Sequence, residues 1–408
     1  MFFILENTKL IILGNGFDLA CGLKSKYEDF FKKRISQELD TFLKRTYQSF
    51  EDRFSFVNNN GQTFRFQTIY EVRSNYLKNK GDKNSFDMMI FHLGQSDMEI
   101  LKNSNLTFWD IVLYYFQTNT VDRVDDIDWR AVEDRIFNFL NDTNIDKPCL
   151  TAMLNTIKHF EDLDMKNWFC LYLAKILSDG KKIPDDFIRY LYQELRSFES
   201  AFIDFLNEEV NSNDDYEKKA RDLLLKIVSA NDMSVLFEQK YLSFNYTEPI
   251  VDPNINMTNV HGTLKSKNII FGIDQTEVDP SCYIYRFTKT FRQMTETSIS
   301  KRSEELILPK KEEINEIAFF GHSLSPLDYS YFQTIFDFYD LYNSDINLAF
   351  YYKLYGDVTN LDMELDLSKK ISEMLKSYSP SIGNKNKANN LMHKLLLEKR
   401  LIIEEVSL

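Results

Sequence analysis

Lys9-Leu10-Ile11-Ile12-Leu13-Gly14-Asn15-Gly16-Phe17-Asp18 is the stretch that decides the fold. Four branched apolar residues run directly into Gly14 and Gly16, and a helix-start signal comes next at Ser25. A short continuous apolar run ending in a turn reads as a strand buried on both faces. A glycine turn after such a strand lets backbone amides approach a phosphate, as at the entry to a nucleotide-binding α/β unit. Every later strand must then return to its side, with the working residues just beyond strand ends. A dinucleotide fingerprint would have a third glycine at position 19, where Leu19 stands, so the turn is open to two readings, phosphate cradle or ordinary tight turn. Asp18 would repel a phosphate unless it caps amides or binds a sugar hydroxyl.

Outward from this stretch, Ser25-Lys26-Tyr27-Glu28 has capping-box form and predicts a helix through about Lys44. From there to Met233 apolar residues recur at helical spacing. Examples are Tyr70, Val72, Tyr76 and Leu77, then Phe108 to Phe116, then Trp129, Val132, Ile136, Phe139 and Leu140, and finally Phe187 to Val210. Polar stretches at Asn58–Gly61, Lys78–Ser85, Asn141–Pro148, Asp179–Pro184 and Asn211–Asp215 separate them. Strand signals return at Tyr241–Tyr246, Met257–Val260 and Asn268–Ile273, then at Glu316–Gly321, Ile346–Tyr352 and Leu401–Ile403. Helical spacing lies at Tyr283–Met294, after Ser325-Pro326, at Met363–Leu375 and at Asn386–Lys399. This alternation predicts an α/β fold with a Rossmann-like, mostly parallel sheet. A large all-helical insertion is expected after its first strand-helix unit. The expected division is 1–45 with 236–408 for the sheet domain and 46–235 for the insertion.

Composition narrows the function. The chain has 408 residues, of which 43% are hydrophobic, enough for a packed interior and against global disorder. With 49 basic and 62 acidic residues the net charge is −13, and no long Lys/Arg block offers a face for a phosphate backbone. Nucleic acid is therefore not an expected partner. Cys21, Cys149, Cys170 and Cys282 lie far apart and make no C-x-x-C pair, so neither a disulfide framework nor a zinc site is expected. Glu6, Asn7, Lys9 and Asp18 interrupt the apolar start and no basic n-region precedes it, which reads as a strand rather than a signal peptide. No apolar run approaches the roughly 20 residues that span a bilayer. A soluble, cytoplasmic protein with no membrane partner is expected.

Four clusters at strand ends could carry chemistry: Gly14 to Asp18, Ser243 to Thr247, Val260 to Thr263, and Gly321 to Asp328. Asn245 offers two donors and an acceptor, which can orient a water or a ribose hydroxyl, or satisfy loop backbone. His261, next to Gly262 and just past a strand, suits a general base near neutral pH, with the glycine leaving room for substrate; a structural histidine is the other reading. Ser323 and Ser325 can donate to phosphate or ribose, while Ser325 and Asp328 can equally cap the helix they precede. No G-x-S-x-G elbow is present, so a serine nucleophile is not favoured. Trp129 and Glu133 lie four apart, the first reading as core and the second as a satisfied partner.

Together Leu13-Gly14-Asn15-Gly16-Phe17-Asp18, Trp129 to Glu133, Ser243-Phe244-Asn245-Tyr246-Thr247, His261-Gly262 and Gly321-His322-Ser323-Leu324-Ser325 with Asp328 resemble the AbiH family. Its members are bacterial proteins of abortive infection, in which a phage-infected cell stops growing or dies. The resemblance runs along nearly the whole chain. The same order is similar, more remotely, to sirtuin-type NAD-binding domains: a glycine-rich turn, a strand ending in an asparagine, a His-Gly pair and a Gly-x-Ser turn. That likeness implies Asn245 and His261 as catalytic residues in cleaving the bond between nicotinamide and ribose. It implies NAD contacts from Gly14, Asn15, Gly16, Phe17, Asp18, Thr247, Gly321, His322, Ser323 and Asp328. Asn15 stands where a small residue is usual, Thr247 replaces an acid, and no Cys₄ zinc module is present, which argues against a protein deacylase.

The implied function is antiphage defence by an NAD glycohydrolase, with NAD or a related nucleotide as ligand or substrate and no metal. A phage-derived trigger or a host protein is the implied macromolecular partner, and the oligomeric state stays open, a homo-oligomer included. Two other readings remain. One is a nucleotide sensor that engages a protein through its helical block without turnover. The other is a nuclease with His261, Asp274, His322 and Asp328 on a divalent ion.

Overall fold

The computed structural model describes residues 8–57, 62–79, 93–117, 129–142, 165–178, 187–275, 278–301, 306–383 and 385–406. Its main sheet has six strands: β1 (Lys9–Leu13), β2 (Lys240–Ser243), β3 (Asn256–Asn259), β4 (Glu316–Phe320), β5 (Asn347–Tyr352) and β6 (Leu401–Glu405). All neighbours pair parallel, in the order β3-β2-β1-β4-β5-β6. β1 therefore lies inside the sheet, which is why all five of its residues are buried. Its residues alternate between two cores. Leu10 and Ile12 join Leu242, Ile317, Phe319, Leu348 and Phe350 on one face, beneath helices Tyr329–Phe338, Asn360–Tyr378 and Lys385–Leu397. Ile11 and Leu13 join Tyr241, Ala318 and Phe320 on the other, covered by the buried side of helix Tyr216–Ile227. Lys9, buried in this interior, pairs in register with Glu316, at 2.8 Å, and donates to the Tyr351 hydroxyl and the Ile227 carbonyl.

The described chain divides into two compact units. One comprises Met1–Lys26, Ile203–Ile270 and Arg292–Leu408 and contains the parallel sheet; the other comprises Tyr27–Phe202 and Phe271–Phe291 and is mainly helical. Helix Tyr216–Ile227 belongs with the sheet because Tyr216, Ala220, Leu223, Leu224 and Ile227 form one side of its core.

Local structure departs from expectation at three places. The helix expected from Ser25 to about Lys44 is two helices, Tyr27–Arg34 and Gln37–Arg53, because the Ser36 side chain accepts from the Leu39 amide and starts a new one. The Ser25 hydroxyl donates to Asn15 instead of capping the first of them. Asn268–Ile273 is not a strand: the Ile270 amide goes to the His261 carbonyl, and Ile273 makes only an isolated bridge to Thr288. Its apolar run, Ile269 to Phe271, is buried without joining the sheet. A small antiparallel pair of strands, Ser55–Val57 with Thr63–Arg65, stands in the block expected to be wholly helical.

In helix Trp129–Asp142, Val132, Ile136, Phe139 and Leu140 are buried as one face, and Glu133 pairs with Lys289 at 2.9 Å. The Trp129 side chain lies outside the described residues. So do the polar stretches Asn58–Gly61 and Asp179–Pro184, most of Lys78–Ser85 and Asn141–Pro148, and Cys149. Among the described residues no helix is long and apolar enough to cross a membrane.

Candidate functional site at the carboxyl edge of the sheet

Leu13 pairs with both Ser243 and Phe320, and Ser243 pairs with Asn259. Four strands thus end level, and the residues immediately after them, Gly14, Phe244, Val260 and Gly321, line one edge. The ladder runs one residue further, through Gly14 to the Phe320 carbonyl at 3.0 Å, Phe244 to Leu13 at 2.8 Å and Val260 to Ser243 at 2.8 Å. β1 and β4 flank the point where the strand order reverses, which is where open α/β sheets gather ligands.

The two turns at that point are pressed together backbone to backbone. A side chain at Gly14 would stand 2.4 Å from the His322 Cα, and one at Gly16 would stand 2.7 Å from the Gly321 Cα. Gly321, at φ +69°, would place one 2.2 Å from the Phe17 nitrogen. The Gly16 amide donates to the Gly321 carbonyl at 2.7 Å, and the Phe17 amide to Gly14 at 2.9 Å. The amides of Gly14, Gly16 and Phe17 are therefore hydrogen-bonded within the protein, and the missing side chains serve the contact between turns. Asn15 ties the same turn to Ser25, accepting from its hydroxyl at 2.6 Å and donating to its carbonyl at 3.4 Å.

Two side-chain clusters hang from this edge. The first surrounds Asp18, only 2% exposed. Its carboxylate accepts from the Tyr216 hydroxyl at 2.7 Å and from the Thr247 hydroxyl at 2.8 and 3.0 Å. Asn245 donates to the Gly14 carbonyl at 3.0 Å, and Asn259 donates to the carbonyls of Asn245 and Thr247. This network joins the turns after β1 and β2 to the start of helix Tyr216–Ile227. Asp18 faces inward, onto this network.

Burial pushes the Asp18 carboxyl up to about 6, against the hydrogen bonds from Tyr216, Thr247 and Asn245 that pull it down. Between the ordinary carboxylate range and pH 6 the folded chain holds a proton that the unfolded chain has released. This contribution therefore favours folding in mild acid and is lost as pH rises through 6, by about 3 kcal/mol for a shift of that size. Asp18→Asn removes the titration while keeping an acceptor for Tyr216. Its urea midpoint gains on wild type as pH rises from 4.5 to about 7; a gap that does not change with pH would rule this coupling out.

The second cluster surrounds Phe244. His322 stands edge-on to its ring with centroids 4.6 Å apart, His261 at 5.6 Å and Tyr331 at 5.4 Å. His322 accepts from the Leu324 amide at Nδ1, 2.9 Å away, which leaves the proton of a neutral ring on Nε2. That nitrogen lies 3.6 Å from the Asp328 carboxylate. Gly262, at φ +87°, turns the chain sharply after His261, and a side chain there would strike the Asn268 carbonyl at 2.2 Å. Ser323 is exposed, and Ser325 accepts from the Leu327 amide, capping the turn that leads into helix Tyr329–Phe338.

The residues singled out from the sequence thus sort into two groups. Gly14, Asp18, Asn245 and Thr247 share one network; His261, His322 and Asp328 belong with Phe244, and Gly321 and Phe17 with the paired turns. Sequence reasoning missed Tyr216, Asn259 and Tyr331 as parts of the site, and it placed Phe244 in a cluster without giving it a role. Phe244 and Asn259 lie inside the expected strands Tyr241–Tyr246 and Met257–Val260, close to the strand-end clusters, and that nearness was the signal that could have found Asn259. Nothing local marks Tyr216. Among the described residues no group of three or more His, Cys, Asp or Glu gathers where it could hold a metal ion, and the four donors of the nuclease reading form no such group.

The sequence profile described as bacteriophage abortive infection AbiH matches residues 10–352. The chain belongs to the AbiH family. No curated protein and no solved structure matches it. The matched span opens in β1 and closes at Tyr352, the last residue of β5, so it takes in both clusters of this AbiH-family protein. Family membership assigns the chain to bacteriophage abortive infection.

Proposed function

We propose that this AbiH-family protein acts in abortive infection by binding NAD, or a related nucleotide, at the carboxyl edge and hydrolysing its N-glycosidic bond. The observation that supports the reading is the strand order. β3-β2-β1-β4-β5-β6 is the doubly wound order whose ligands bind where β1 and β4 part. Asn245, His261 and the His322-Ser323 turn come after β2, β3 and β4, at the same edge of the sheet and in the sequence order that resembles sirtuin-type domains.

In this mechanism the bond from ribose C1′ to the nicotinamide nitrogen breaks first, and its electron pair neutralises the pyridinium ring. Water adds to the oxocarbenium-like C1′ and loses its proton to His261, giving ADP-ribose and nicotinamide. General-base assistance of this kind contributes about 10²–10⁴-fold. Asn245, held by the Gly14 carbonyl, orients the ribose hydroxyl or the water. Ser323, exposed beside His322, offers a hydroxyl to ribose or phosphate.

The test is direct. Purified full-length protein, alone and with lysate from phage-infected cells, is incubated with NAD while nicotinamide release is tracked. Stoichiometric nicotinamide and ADP-ribose are expected in the activated sample. NAD that stays intact while the protein still arrests infected cells overturns hydrolysis; NAD that is bound yet intact favours the nucleotide-sensing reading.

A further inference from the structure

A cleft of about 560 Å³ runs along helix Tyr216–Ile227 and shares no lining residue with either cluster of the carboxyl edge. Lys219, Asp222 and Lys226 line it from one side of that helix, Asn231 from the turn beyond, Gly22 from the chain after β1, and Lys353 from the end of β5. Three ammonium groups against one carboxylate make it a locally cationic site on a chain of net charge −13. We propose that this cleft binds the phosphate or diphosphate group of a small ligand.

Two lysines converge on one corner. Lys353 donates to the Ala20 carbonyl at 3.1 Å, and the Lys219 ammonium lies 3.5 Å from where a side chain on Gly22 would begin. Burial and then the Asp18 charge push the neighbouring Cys21 thiol up to about 12, while Lys353 and Lys219 pull it down, so both ammonium groups act on the same point. Both lysines are half-buried, and neither forms an ion pair with a described carboxylate. Holding two partly desolvated like charges together without a counter-ion is unfavourable, and an anion between them removes that cost.

The shape of the site selects among anions. Lysine binds phosphate as a point charge, and a doubly charged group with several acceptor oxygens can satisfy two or three ammonium groups and the Asn231 amide at once. The volume exceeds that of one phosphate and lies in the range of small-molecule sites, with Leu225, Ala20 and Ala230 supplying apolar wall. Gly22 leaves the corner open, since a side chain at its φ of +84° would be strained.

Isothermal titration of the full-length protein with inorganic diphosphate tests the site, with ADP as a second ligand. Wild type binds diphosphate, more weakly as salt rises. The Lys219→Gln, Lys353→Gln double variant loses at least about tenfold in affinity. Lys226→Glu, which reverses an exposed charge away from the core, weakens binding in the same direction. Lys44→Gln, at an exposed lysine of the mainly helical unit, leaves it unchanged. ADP that binds more tightly than diphosphate with the same lysine dependence makes the ligand a nucleotide; ADP no tighter than diphosphate makes it the free anion. The site is overturned if wild type does not bind diphosphate, or if the lysine variants bind it as wild type does. An equal loss of binding in Lys44→Gln would also overturn it, by making the effect one of overall charge rather than of the cleft.

Discussion

Gly321→Ala lowers the first unfolding transition of the protein by about 2–5 kcal/mol, a large part of a typical domain's stability. Two costs add. The residue sits at φ +69°, where a side chain is strained, and its new carbon would lie 2.2 Å from the Phe17 nitrogen and 2.6 Å from the Gly16 carbonyl carbon. Those neighbours are backbone, hydrogen-bonded to the same turn through Gly16 and Gly321, so neither can move aside cheaply. Gly356→Ala separates the costs. It has φ +56° and nothing within 4 Å of its added carbon, so only the backbone strain of about 1 kcal/mol remains. Urea unfolding of both variants measures the difference. Equal shifts would mean that the turns after β1 and β4 can part without loss, and the contact assigned to the glycines would have to be abandoned.

His261→Ala reduces NAD turnover by at least about 100-fold and removes protection against phage, while the protein stays folded. The ring is 6% exposed and packs edge-on against Phe244 and Tyr331, so truncation also costs packing. Thermal unfolding of the variant therefore accompanies the rate measurement. His261→Gln supplies the second arm: it refills much of the space and cannot take a proton near neutral pH. A folded Gln variant as inactive as the Ala variant assigns the loss to proton transfer. Either variant retaining full turnover takes His261 out of the chemistry.

The legibility of this fold reflects the range of the forces involved. Lys9-Leu10-Ile11-Ile12-Leu13 identified itself because a strand buried on both faces must be apolar at every position, and a turn after it must bend sharply. The later strands and helices announced themselves by their period, and His261-Gly262 and Gly321-His322 by standing at the ends of apolar runs. The break at Ser36 was less visible, since one serine can begin a helix or ride within one. Asn268–Ile273 misled for a related reason. An apolar, β-branched run records that its side chains are buried, not that its amides find a neighbouring strand.

By itself the sequence determined that this chain forms a parallel α/β sheet with helical segments, and it carried the ordered motifs of the AbiH family. These are properties of local pattern and of order along the chain. Only the tertiary structure decided what Gly14, Gly16 and Gly321 are for, because the contact that excludes their side chains joins turns some 300 residues apart along the chain. It alone showed Asp18 engaged by Tyr216 and Thr247, whose hydroxyls reach it across separations of 198 and 229 residues. It alone brought Lys219 and Lys353 to one corner, for the same physical reason. Hydrogen bonds and charges act over a few ångströms in space, and no periodicity in the chain encodes which distant residues the sheet will bring within that reach.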